Sequence, residues 1–135
     1  MIVMDVNAAV AIARNGAEGK ALRSLVDCDE RIIAPRLFID EMGNTVWKIV
    51  RAGWLSEDDG FSLFQNALEL VDGFADTTPL IIEATHEAVR NNHPVYDMLY
   101  FVLARRNRAT LFTLDKKLRV ICEANGVSCL GVERI

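Results

Sequence analysis

Short apolar runs alternate along this chain with longer stretches of helical period, and two of those runs end at once in an aspartate. "IVM" at residues 2–4 is followed by Asp5, and "TLFTL" at 110–114 by Asp115. "RIIA" at 31–34, "LELV" around 68–71 and "VSCLGV" at 127–132 complete the predicted strands. Between them the periodicity predicts helices over 8–14, 17–26, 37–52, 57–67, 79–90, 94–106 and 116–123. Strand and helix in alternation imply a parallel sheet covered on both faces, an α/β sandwich. The helix pairs at 37–67 and 79–106 exceed simple alternation and predict a projecting helical pair.

A chain of 135 residues fits one domain with a substantial core. Its longest apolar runs, 8–13 and 98–104, fall well short of the roughly 18 residues that a membrane span needs. "MIVMDVN" shows no basic leader before Asp5, so a cytoplasmic location is expected. Cys28, Cys122 and Cys129 are odd in number without CxxC spacing and read as free thiols. There is no HExxH, GxSxG, Walker-type or GxGxxG motif, so zincin, hydrolase and nucleotide-binding chemistries find no support.

"HPVYDMLYFVLARRN", residues 93–107, carries one residue out of pattern. From Val95 to Ala104 all but Asp97 is apolar or aromatic, and Asp97 shares its helical face with Tyr100, Phe101 and Ala104. Pro94 suits a first helical turn, with His93 a candidate cap, and an acid there is favoured by the helix dipole. That structural role suffices for Asp97 taken alone, but an inward carboxylate needs partners. Asp5 and Asp115, each just after a strand, would stand on the carboxyl edge of a parallel sheet, where such sheets bind ligands. Glu41 is the third candidate, in a polar stripe with Asn44, Thr45 and Lys48 on an otherwise apolar helix. That stripe also reads simply as the helix's wet side.

Four converging carboxylates repel unless a cation compensates them. Oxygen-only ligation points to Mg²⁺ or Mn²⁺, and such an ion suits phosphodiester hydrolysis. The formal net charge is −4, with eight acids and no Lys or Arg between Gly53 and Val89. Between Tyr100 and Val120 six bases stand against Asp115 alone. Solvated faces explain both runs. With acids nearby, the basic run also suggests a phosphate-binding rim.

"MDVN", "APRLFIDEMGN", "HPVYDMLYFVLA" and "LFTLDKKL" resemble, in order and spacing, the four motif blocks of PIN domains, and the VapC-type ribonuclease toxins in particular. The resemblance covers the whole chain as a single domain, 1–135. It implies a three-layer sandwich with a central, mostly parallel sheet of about five strands and a projecting helical pair. It also implies an Mg²⁺- or Mn²⁺-dependent endoribonuclease, usually a homodimer, held by a VapB-like antitoxin. Position by position it makes Asp5 and Asp97 the principal metal ligands, with Glu41 and Asp115 direct or through water, and Asn7, Asn44 and Thr113 in support. The chemistry implied is in-line attack of an activated water on RNA, leaving 5′-phosphate and 3′-hydroxyl ends. Where many relatives carry a further acid after the last aspartate, Lys116 and Lys117 stand here, which favours one ion over two. The aromatics between 37 and 68 (Phe38, Trp47, Trp54, Phe61 and Phe64) resemble the family's antitoxin clasp.

Other readings remain open. A phosphoacceptor domain would need adjacent acids after the first strand, which Asp5 lacks. A non-catalytic PIN module binding RNA or a partner is disfavoured by the presence of all four acids. An RNA-processing PIN nuclease without an antitoxin shares the same acids.

Overall fold

The computed structural model describes residues 1–130. Its centre is a five-stranded sheet of β1 (Ile2–Met4), β2 (Ile32–Pro35), β3 (Gly73–Ala75), β4 (Thr110–Phe112) and β5 (Cys129–Leu130). The strand order is β3-β2-β1-β4-β5, and every pairing is parallel. Successive side chains of a strand point to opposite faces, yet all of β1 and β2 is buried, so helices cover both sides.

Seven helices surround the sheet among the described residues: α1 (Val6–Arg14), α2 (Ala17–Ser24), α3 (Leu37–Arg51), α4 (Glu57–Glu69), α5 (Ile81–Asn91), α6 (Val95–Asn107) and α7 (Lys116–Ala124). The most deeply placed is α6, which packs against β1, β2 and β4 and buries every residue from Met98 to Ala104. A helix apolar around its circumference belongs in such an interior position. Its outward end is held to α5 by charge: Arg105 meets Glu83 at 2.7 Å and the buried Glu87 at 3.4 Å, and Arg106 meets Glu83 at 2.7 Å. That clamp occupies two of the six bases expected to form a rim.

The α1–α2 corner depends on a small residue. A Cβ on Gly19 would lie 1.8 Å from the carbonyl oxygen of Ala11, so the second helix crosses the first at backbone contact. The other helical pair, α3 and α4, forms the expected hairpin, with Trp47, Trp54 and Phe61 exposed while Phe38, Met42, Val46 and Leu63 turn inward.

Two predicted elements differ from the structure. "LELV" is not a strand: α4, capped by Ser56 through the Asp59 N–H, runs on through Glu69. The strand forms just beyond it, at "GFA" (73–75), where pairing with β2 and mutual bonds between residues 32 and 72 decide the matter. The Asp72 N–H donates to the Ile32 carbonyl, and the Ile32 N–H returns a bond to the Asp72 carboxylate, both at 2.8 Å. A short, half-buried edge strand carries little hydrophobic signal of its own. Of the last predicted strand only residues 129–130 are a strand among the described residues, and 131–132 lie outside them.

Candidate active site

In the order β3-β2-β1-β4-β5 the direction of winding reverses between β1 and β4. Asp5 directly follows β1, and Thr113, Leu114 and Asp115 follow β4, so both acids stand at the carboxyl side of the switch point, where α/β sheets bind ligands.

Each acid is fixed by starting a helix. Asp5 caps α1, its Oδ1 accepting the Ala8 N–H at 2.9 Å; this helix begins at Val6, two residues before its predicted start. Asp115 caps α7, with Oδ1 accepting from Lys117 at 2.9 Å and Leu118 at 3.3 Å. Asp97 lies in the first turn of α6. Three helix N-termini therefore meet at one edge, and their partial positive charge offsets some of the carboxylate repulsion. Thr113 joins two of the acids, because its buried hydroxyl accepts the Asp115 N–H at 3.1 Å and hydrogen-bonds the Asp5 side chain.

Glu41 approaches from α3, where the Tyr100 hydroxyl of α6 donates to its Oε1 at 2.6 Å. Asp5, Glu41 and Asp97 line one cavity of about 190 Å³ together with Asn7, Asn44 and Lys48. Lys48 is the single basic residue on its walls among the described residues. Asp115 is not on that cavity's wall, yet its charge acts on both Asp5 and Asp97, and its Oδ2 lies 3.9 Å from His93 Nε2. All seven residues singled out from the sequence thus gather at one edge, with Asp115 and Thr113 off the wall of that cavity.

Burial dominates the electrostatics of the acids, with mutual repulsion adding to it and hydrogen bonds opposing it. Burial pushes the Asp5 carboxyl up to about 7, against lowering by its bonds from Thr113 and Ala8, and the charges of Asp97 and Asp115 push it further. Glu41 is raised by burial and by Asp97, with Tyr100 opposing. Asp97 is raised first by burial and then by Asp115, with His93 opposing. Burial and Glu41 likewise raise the Tyr100 hydroxyl, so it stays a donor.

His93 is the residue the sequence reading did not place in the site. It does not cap α6; Pro94 takes that position with an extended ψ of 141°. The His93 ring turns inward instead, Nε2 lying 2.8 Å from Asp97 Oδ2 and 3.9 Å from Asp115 Oδ2. One nitrogen or oxygen atom from each of His93, Asp97 and Asp115 lies within 4.8 Å of the other two. The spacing of four between His93 and Asp97 was visible, but the intervening proline concealed that the two side chains meet.

The acidic edge fits a family defined over almost the whole chain. The PIN domain model matches residues 2–124. This chain belongs to the PIN-domain family. Among relatives of this PIN domain, ribonuclease VapC1 of Mycobacterium tuberculosis is 31% identical over 128 residues, covering 94% of this chain and 92% of the relative. Ribonuclease VapC3 of Pyrobaculum aerophilum is 25% identical, over 87% of this chain and 91% of its own. The PIN fold recurs in the crystal structure of PAE2754 from Pyrobaculum aerophilum, with TM-score 0.72, 23% identity and coverage of 89% and 84%. It recurs again in Mycobacterium tuberculosis VapC20, described as a sarcin-ricin loop cleaving toxin, with TM-score 0.67, 15% identity and coverage of 98% and 100%.

Proposed function

We propose that this protein is a divalent-metal-dependent endoribonuclease of the VapC kind, the toxin partner of a VapB-like antitoxin, and that residues 1–135 form one PIN domain. The observation that carries this reading is the meeting of Asp5, Asp97 and Asp115 at three helix N-termini on the switch edge of the sheet, with Glu41 opposite. The relatives named as ribonucleases supply the substrate class.

The residues fit a hard divalent cation. Burial first and neighbouring carboxylates second raise the proton affinity of Asp5, Glu41 and Asp97, a bias that a cation among them would relieve, and oxygen donors without cysteine suit Mg²⁺ or Mn²⁺. Asp5 and Asp97 would hold the ion, with Glu41 and Asp115 acting directly or through water. When bound, such an ion supplies Lewis-acid activation of water and neutralises charge on the phosphate. The chain supplies the rest. Asn7 and Asn44 offer amides to water or substrate at the cavity mouth, and Thr113 holds Asp5 and Asp115 in register. Lys48, on the wall of the cavity, offers a scissile phosphate a cationic side chain beside the acids.

The antitoxin is proposed to dock on the α3–α4 hairpin and beside it. A groove of about 540 Å³ runs past Val10, Ala11, Arg14 and Trp54 and shares Asn7 with the acidic cavity, so a peptide lying there reaches the acids. A homodimer is proposed through α5, whose exposed Ile82 and Val89 are seven residues apart on one helical face.

The test is end-mapped cleavage of total RNA by the purified protein, with and without EDTA. Cleavage that needs the divalent ion and leaves 5′-phosphates is expected. Asp97→Asn should lower kcat by at least about 100-fold, the scale of losing one electrostatic contact to the transition state. Undiminished cleavage by a folded Asp97→Asn protein refutes the site.

A further inference from the structure

The His93 side chain is only 7% exposed, whereas the carboxylates it faces, Asp97 and Asp115, are 34% and 36% exposed. It is therefore the buried wall behind two half-open acids. Its backbone is fixed from both sides. The His93 N–H donates to the Ala88 carbonyl at 3.1 Å, and Asn92 before it turns left-handed with φ 48° to end α5. Pro94 after it starts α6 at φ −57°. A ring so constrained meets Asp97 Oδ2 at 2.8 Å, a distance at which a carboxylate oxygen accepts an N–H.

We propose that His93 is the positioning residue for Asp97. Its Nε2–H binds Oδ2, fixes the carboxylate's rotation and leaves Oδ1 as the oxygen presented to the divalent cation between Asp97 and Asp5. An aspartate in a first helical turn has two equivalent oxygens and rotates between them. A donor on one oxygen removes that freedom before the ion arrives, as bonds to ligating carboxylates do in general. The second carboxylate, Asp115, lies 3.9 Å from the same nitrogen, near enough for attraction and too far for a good hydrogen bond, so the proton is directed to Asp97. With that proton on Nε2, the nitrogen has no lone pair for the metal. His93 therefore acts through Asp97 and is not itself a ligand.

This inference rests on the proposed metal-dependent site, and its test separates the two. Mn²⁺ binding is measured by electron paramagnetic resonance titration for wild type, His93→Ala, His93→Gln and Asp97→Asn, with folding checked by circular dichroism. The Ala variant is expected to bind Mn²⁺ roughly 10- to 100-fold more weakly. The Gln variant, whose amide N–H reaches a similar point, should recover most of that loss. In wild type labelled with ¹⁵N-histidine, electron spin echo modulation should show no nitrogen bound to manganese. Wild-type affinity in His93→Ala alongside weakened Asp97→Asn overturns the role of His93 and leaves the metal site standing. A histidine nitrogen on the ion also overturns it. Wild-type affinity in both variants sinks the metal site itself. If the Ala variant does not fold, the Gln variant and the echo experiment on wild type still decide.

Discussion

Asp5 and Asp115 show how one side chain serves fold and chemistry at once. Each spends Oδ1 on capping a helix and retains Oδ2 for other partners. Asparagine caps about as well as aspartate, whereas alanine at such a position costs about 0.5 to 2 kcal/mol. Asp115→Asn should therefore keep the wild-type melting temperature while losing ribonuclease activity, and Asp115→Ala should lose both, as calorimetry beside an RNA cleavage assay will show. The raised proton affinity of Asp5 gives a second prediction. Its carboxyl stands at about 7 in the folded protein against 3.8 ordinarily, so the folded state binds the proton more tightly than the unfolded chain. Its stabilising contribution is complete below about pH 4 and is lost as pH rises through 7. Without divalent ions, the melting temperature of wild type relative to Asp5→Asn should fall across that window. Saturating Mn²⁺ should reverse the trend, and a difference that does not change with pH would contradict the burial of a charged Asp5.

At the level of elements, α6 explains why one acid can sit in so apolar a segment. Met98 to Ala104 are buried against the sheet, and that anchoring holds the first turn, with Asp97, rigidly at the edge. The helix was legible from its apolar circumference, and Asp97 from its exception to it. His93 was not, because a residue outside the helix folds back across Pro94 onto Asp97 only when α5 ends at Asn92. The expected basic rim also changed at this level. Arg105 and Arg106 lie eight and nine residues beyond Asp97, roughly 12 Å along the helix axis, and are engaged by Glu83 and Glu87 of α5. The α1–α2 corner yields a stability prediction. Gly19→Ala places a methyl against the Ala11 carbonyl with no flexible side chain to yield, so thermal or urea unfolding should show a loss of about 1 to 3 kcal/mol.

At the scale of the whole molecule, the groove beside Trp54 shares Asn7 with the acidic cavity, while Ile82 and Val89 stand exposed on α5. If α5 forms the dimer contact, Ile82→Asp with Val89→Asp should convert a dimer to a monomer of unchanged fold, measured by light scattering after gel filtration. A dimer that persists in the double variant moves the contact elsewhere.

The order of apolar runs and helical periods in the sequence determined a parallel α/β sheet, because burial on both faces and short strands leave few other arrangements. It also marked Asp5, Asp97 and Asp115, since acids at strand ends and within an apolar helix break patterns that hydrophobic burial otherwise enforces, whereas Glu41, in a polar stripe, stood out only as a partner for them. Only the tertiary structure decided that β1 and β4 are neighbours across the switch point, that the third strand is "GFA" rather than "LELV", and that His93 stands behind Asp97. The physical reason is common to all three. Strand pairing and side-chain hydrogen bonds across 4 to more than 100 residues depend on where distant segments meet, and local periodicity carries no record of that meeting.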